Sequence, residues 1–249
     1  METIILTAKE LKKSFDGFVA VNAVSFSLKK GEICSIIGPN GAGKTTLFNL
    51  ITGHLSKDEG ELIFKGINIT PMPPHRICRL GMGRSFQRTN IFPRLTVFQN
   101  IQAALVAHRG KSLNFFKPVE SLFREETRDL LERVGLKEFA ATVGGTLSYG
   151  LQKQLELGIA LASDPELLLL DEPTAGMSAQ ETHQTIQLVG RITREKGLTL
   201  LFTEHDMEVV FSISERILVL HQGRLIAEGS PEEVRNNYDV KKIYLGEAR

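Results

Sequence analysis

Cysteine is scarce in this chain, with only Cys34 and Cys78 among 249 residues. Their number and spacing suit neither a disulfide framework nor a zinc site, and a reducing, cytoplasmic location fits best. Long apolar runs are missing too. No stretch approaches the ~18 residues needed to span a bilayer. The start, Met1-Glu2-Thr3-Ile4-Ile5, lacks the basic region and long apolar stretch of a signal peptide. Excess charge of either sign is also absent, with 30 Lys and Arg against 29 Asp and Glu. No broad basic surface for nucleic acid follows from that balance. No internal repeat, low-complexity segment or interdomain linker is visible. The expectation is a chain soluble on its own, which only another protein could hold at a membrane. Its length permits one large domain, or one plus a subdomain.

What is present begins at Gly38. Residues Gly38, Pro39, Asn40, Gly41, Ala42, Gly43, Lys44, Thr45 and Thr46 fit the phosphate-binding pattern G-x-x-x-x-G-K-[ST]. The segment before it, Ile33–Ile37, has strand character. The segment after it puts Leu47, Leu50 and Ile51 on one helical face. Glycines let the backbone wrap close to phosphate, with successive N–H groups pointing inward, and the positive end of the helix dipole lies beneath. Lys44 adds a full charge near the terminal phosphates, and Thr45 offers a hydroxyl to Mg²⁺.

Ile33–Ile37 is one of four short, mostly apolar runs. The others are Leu167–Leu170, Leu198–Phe202 and Ile217–Leu220. Continuous apolarity suits strands buried on both faces of a parallel sheet, and helical stretches between most of them give an α/β pattern. Residues 3–11, 22–29 and 61–68 read as strands of a small antiparallel sheet, with turns at Asp16-Gly17 and Lys30-Gly31. Residues from about 88 to 162 are mainly helical, including Arg124–Val134 and Leu151–Leu161. Ser178 with Glu181, and Ser230 with Glu233, read as capping boxes.

Leu167–Leu170 ends in Asp171-Glu172, at the strand edge where parallel sheets place their chemistry. Asp171 there can hold Mg²⁺, directly or through water. Glu172 is placed to polarise a water for in-line attack on a γ-phosphate. His205 follows the next apolar strand and should emerge on the same edge, able to contact the γ-phosphate or the water. Leu147-Ser148-Tyr149-Gly150-Leu151 precedes a helix; alone it reads as an ordinary N-cap, or as a second anion site built from Ser148 and the Gly150 backbone.

Taken together, these motifs resemble the ATP-binding subunit of an ABC transporter over essentially the full length. The resemblance makes Gly38–Thr46 the Walker A loop, Leu167–Glu172 the Walker B strand with its catalytic glutamate, Leu147–Leu151 the signature sequence and His205 the switch histidine. It implies that Gln87, in Arg84-Ser85-Phe86-Gln87, senses the γ-phosphate and reaches the metal, and that Phe15 stacks on adenine. The implied fold is a P-loop NTPase core with a mostly parallel sheet, an N-terminal antiparallel β subdomain and an inserted helical subdomain. One domain would span 1–249, with core at about 1–87 and 163–249 and signature subdomain at about 88–162. Two departures stand out: Tyr149 and Leu151 replace a glycine and a glutamine of the signature, and Ser178 stands where the family usually has Asp or Asn.

More narrowly, Arg84–Gln87, the segment Arg109–Val119, Glu204–Met207 and the tail Tyr244–Glu247 resemble ATPase subunits of importers for branched-chain amino acids, urea or amides. A lipopolysaccharide-export ATPase has a similar tail, so export with the same chemistry is the alternative. A soluble ABC ATPase of ribosomes or DNA would carry two phosphate loops or a long coiled-coil insertion, and this chain shows neither; a non-enzymatic nucleotide switch does not need Glu172 and His205. The implied cofactors are ATP and Mg²⁺. The implied partners are two membrane-spanning permease subunits, a second ATP-binding subunit (identical or sister) and an extracytoplasmic solute-binding protein, with no nucleic acid. The implied location is peripheral, at the cytoplasmic face of the inner membrane. Phe92, Leu95 and Phe98, and likewise Phe115 and Phe116, either meet a permease helix or pack within the subdomain.

Overall fold

The chain opens with a hairpin of two long strands, β1 (Ile4–Phe15) and β2 (Phe18–Lys29). Asp16 and Gly17 join them with φ of 46° and 88°, the two-residue turn whose twist matches the flanking strands. After β3 (Ile33–Ile37) and α1 (Lys44–Ile51), a second hairpin forms from β4 (Glu59–Phe64) and β5 (Ile67–Asn68). Residues 61–68, expected as one strand, are therefore broken by Lys65-Gly66, which repeats the same turn with φ of 53° and 76°. These strands form an antiparallel sheet in the order β2-β1-β4-β5. The computed structural model describes residues 3–85, 90–109 and 122–245.

The second sheet carries the apolar runs. Its order is β10-β9-β3-β8-β7-β6, built from β6 (Met82–Arg84), β7 (Leu167–Asp171), β8 (Thr199–Thr203), β9 (Arg216–His221) and β10 (Arg224–Gly229) around β3. All neighbours are parallel except the β9–β10 hairpin. Every residue of β3, β7 and β8 is buried. Alternate residues serve two different cores, because side chains alternate across a strand. Ile33, Ile37, Leu168, Leu170, Leu200 and Phe202 face a core shared with helices. Cys34, Ile36, Leu167, Leu169 and Leu201 face α1 and the antiparallel sheet. Coverage on both faces is why these runs show no alternation.

A short helix, α2 (Pro74–Arg79), precedes β6. Between the adjacent strands β6 and β7 the chain leaves the sheet to form α3 (Val97–His108), α4 (Arg124–Arg133) and α5 (Tyr149–Leu161), the inserted helical subdomain. The remaining helices are α6 (Ala179–Lys196), α7 (Met207–Ile213), α8 (Pro231–Asn236) and α9 (Tyr238–Leu245). Both expected capping boxes form, Ser178 with Glu181 and Ser230 with Glu233, and Gly197 at φ 60° ends α6. No helix among the described residues is long and apolar enough to cross a membrane.

Candidate active site

Strand order brings the chemical motifs together. β8 lies between β3 and β7, so three neighbouring strands end at one edge. β3 runs into Gly38–Thr46, β7 ends at Asp171 before Glu172, and β8 ends at Thr203 before Glu204-His205.

The loop after β3 is held so closely that two of its residues admit no side chain. A Cβ on Gly38 would lie 2.2 Å from the Leu220 carbonyl oxygen. One on Gly43, at φ 102°, would lie 2.3 Å from the Ala20 carbonyl oxygen. Gly43 is also the N-cap of α1, and neither a side-chain cap nor an acidic first-turn residue covers that helix start. By contrast α3, α6 and α8 each begin with a complete capping box. The amides that open α1 and its dipole are thus left for an anion from outside the chain. Lys44 is buried; its ammonium donates to the carbonyls of Gly38 at 2.6 Å and Pro39 at 3.2 Å. Burial pulls its pKa below the ordinary lysine value, and the nearby Glu172 and Asp171 carboxylates oppose that shift. Phe15, Phe18, Ala20, residues 40–46 and Glu172 line a cavity of about 380 Å³ above the loop.

At the end of β7, Asp171 is 1% exposed. Its Oδ1 accepts from the Thr203 hydroxyl at 2.8 Å, while Oδ2 has no hydrogen-bond partner among the described residues. The Arg84 guanidinium faces Oδ2 at 3.6 Å, beyond hydrogen-bond distance, so this buried oxygen keeps lone pairs that a metal ion can use. Hard oxygen donors such as this carboxylate and the exposed Thr45 hydroxyl suit Mg²⁺, which keeps several waters and substrate phosphates as its other ligands. Glu172 sits at φ 50°, a conformation uncommon outside glycine. Its N–H is fixed by the Thr203 carbonyl and hydroxyl, each at 3.1 Å. Its Oε1 lies 2.6 Å from His205 Nε2.

Ser148 and Gly150 are elsewhere. Neither lines the cavity. Ser148 Oγ accepts from the Leu151 N–H at 3.5 Å, and Gly150 abuts Glu181 at the start of α6. Tyr149, the unusual signature residue, lays its ring beside Gly176. Phe92 is exposed at 56%, whereas Phe98 packs against the helical core. Gln87, Phe115 and Phe116 lie outside the described residues.

Four residues at this edge are given no role by the sequence. Phe18 pairs with Phe15 across the first hairpin. Thr203 bridges Asp171 and Glu172. Arg84 places Nη2 at 3.6 Å from Asp171 Oδ2. Glu204 accepts from the Thr174 N–H and hydroxyl at 2.8 and 2.7 Å; burial raises its pKa, and those two bonds pull the other way. Their sequence signal is adjacency to motif residues, and for Arg84 and Glu204 also a place within the segments Arg84–Gln87 and Glu204–Met207 that resemble the importer ATPases.

The profile of the ABC transporter family matches residues 21–175. A second profile, for the branched-chain amino acid ATP-binding cassette transporter, matches residues 224–249. The chain is 40% identical, over 100% of both sequences, to the high-affinity branched-chain amino acid transport ATP-binding protein BraF of Pseudomonas aeruginosa. It is 35% identical, over 98% of both, to the lipopolysaccharide export system ATP-binding protein LptB of Haemophilus influenzae. Among solved structures, the ADP conformation of MJ1267, an ATP-binding cassette of an ABC transporter, superposes with a TM-score of 0.86 at 32% identity, covering 98% of this chain and 100% of that one.

Proposed function

This chain belongs to the ABC transporter family of ATP-binding proteins, and from that premise we propose that it powers the import of a branched-chain amino acid or a related small amide. It is an ATP-hydrolysing transporter subunit. The observation that supports import over lipopolysaccharide-type export is the C-terminal match to the branched-chain amino acid cassette profile over residues 224–249, together with the higher identity to BraF.

In this reading, the loop amides and Lys44 bind the phosphates, and Thr45 and Asp171 hold Mg²⁺, with Gln87 also reaching the metal. When bound, Mg²⁺ neutralises charge on the phosphate oxygens. Glu172 accepts the proton of the attacking water. His205, hydrogen-bonded to Glu172, orients that carboxylate and follows the state of the γ-phosphate. Ser148 and Gly150 do not reach their own cavity, so their anion site serves a second ATP-binding subunit, and each nucleotide is sandwiched between two chains. Exposed Phe92 is suited to contact a membrane-spanning permease, which would hold this chain at the cytoplasmic face; a solute-binding protein completes the complex.

Phe15 and Phe18 form the aromatic wall for the base. Stacking on such a ring contributes about 1–3 kcal/mol, so Phe15→Ala is expected to weaken ATP binding by about 5- to 100-fold. Tripolyphosphate, which has no base, should compete equally well against wild type and variant. Equal loss for both ligands would remove Phe15 from the base site.

The functional reading itself is tested by purifying the chain from native membranes, identifying its companions and reconstituting them in vesicles. ATP-dependent accumulation of labelled leucine, isoleucine or a small amide with the solute-binding protein present is the expected result. Companions that include no solute-binding protein, with no solute uptake, would favour the export reading.

A further inference from the structure

Arg84 is the last residue of β6, the edge strand beside β7. Its side chain is only 7% exposed. It reaches across to α1, where Nη1 donates to Asn49 Oδ1 at 2.8 Å and to Thr52 Oγ1 at 2.7 Å. The guanidinium also lies 6.0 Å from the centre of the Phe48 ring. It is thus clamped at the C-terminal end of the helix whose N-terminus carries the phosphate loop, where a cation is electrostatically favoured. From there Nη2 faces Asp171 Oδ2 at 3.6 Å, too far for a hydrogen bond.

That spacing matters. A bidentate arginine would occupy both carboxylate oxygens and compete with a metal for them. A guanidinium anchored on other partners supplies compensating charge yet leaves the Oδ2 lone pairs open. The other oxygen is fixed by Thr203, so the carboxylate plane is set from two sides. We propose that Arg84 is a positioning residue that holds the Asp171 carboxylate oriented and unobstructed for the catalytic metal, and couples it to the phosphate-loop helix through Asn49 and Thr52. This rests on the assignment of the metal to Thr45 and Asp171 made above.

Partners that orient metal ligands typically contribute about 10–100-fold in metal affinity. The test uses Mn²⁺ as the metal, with the purified full chain and ADP, reading free Mn²⁺ by electron paramagnetic resonance. Arg84→Met is expected to weaken Mn²⁺ binding by about 10–100-fold. Arg84→Lys, which keeps the charge but loses the fork, should fall between wild type and Arg84→Met, and Asn49→Ala should shift affinity in the same direction by less. ADP affinity in EDTA should not change in any of them, a result that damage to the loop would not give. Unchanged Mn²⁺ affinity in folded Arg84→Met overturns the proposal, as does a parallel loss of metal-free ADP binding. If Arg84→Met fails to fold, unchanged Mn²⁺ affinity in both Arg84→Lys and Asn49→Ala overturns it. A wild-type chain that binds no Mn²⁺ with ADP would bring down the metal assignment and the proposal together, whereas wild-type binding with unaffected variants removes Arg84 alone.

Discussion

Glu172→Gln is expected to lower ATP turnover by about 10²–10⁴-fold, the range for loss of a positioned general base, with ATP affinity unchanged. Glutamine has the size of glutamate and can still hydrogen-bond to His205, so the 2.6 Å contact and the backbone held by Thr203 should survive. What disappears is the ability to accept a proton from water. With Mg²⁺–ATP and its companion subunit, the variant should accumulate as a closed dimer, visible by light scattering after gel filtration, because in the proposed arrangement the nucleotide between the two chains is no longer cleaved. His205→Ala should also slow turnover, by releasing the carboxylate. Because the two residues act as one unit, the double variant should be little worse than Glu172→Gln alone. Wild-type turnover in Glu172→Gln, or additive losses in the double variant, would show that these side chains do not share the task.

The core of the fold was legible because two-sided burial leaves a plain mark. Ile33–Ile37 is found with the expected boundaries, and the other three apolar runs differ from their strands by a residue at one or both ends. Hairpins were legible only when their turn residues were distinctive. Asp16-Gly17, Lys65-Gly66 and Gln222-Gly223 all take positive φ at both positions. Only the first has the aspartate that favours such a turn; lysine and glutamine seldom adopt positive φ. The break at Lys65-Gly66 and the whole of β10 therefore went unread. β6 has three residues, too short for any periodicity to register.

The candidate site divides along the same line. Residues in contiguous motifs could be listed from sequence, and strand order places Lys44, Asp171, Glu172 and His205 on one edge. Side chains that act on those residues from a distance could not. Arg84 meets Asn49 and Thr52 across intervals of 35 and 32 positions, and Thr203 meets Asp171 across 32. No local pattern encodes such pairs, because they exist only once β6, β7, β8 and α1 are assembled. The separation of Ser148 from the cavity of its own chain was equally invisible in one dimension; a second ATP-binding subunit was implied only by the family resemblance.

Lys44→Ala attacks binding rather than chemistry. Lys44 has two carbonyl partners at the mouth of the loop, and an ammonium has three donors, so one remains for a phosphate oxygen. A hydrogen bond to a charged group contributes about 1.5–3 kcal/mol. At ~1.4 kcal/mol per factor of ten, losing it should weaken ATP binding by about 10–100-fold, measurable by titration with a fluorescent nucleotide. The carbonyls of Gly38 and Pro39 would also lose their donor, so the empty loop should be less ordered and its amides faster in hydrogen exchange. Lys44→Arg separates the two effects. It retains charge, but a planar guanidinium cannot replace a compact ammonium among the closely packed loop residues. If charge alone sets affinity, arginine should restore it; if the compact clasp is what matters, both variants should bind ATP weakly. The 6% exposure of Lys44 favours the second outcome, and unchanged ATP affinity in Lys44→Ala would overturn the assignment of the loop as the phosphate cradle.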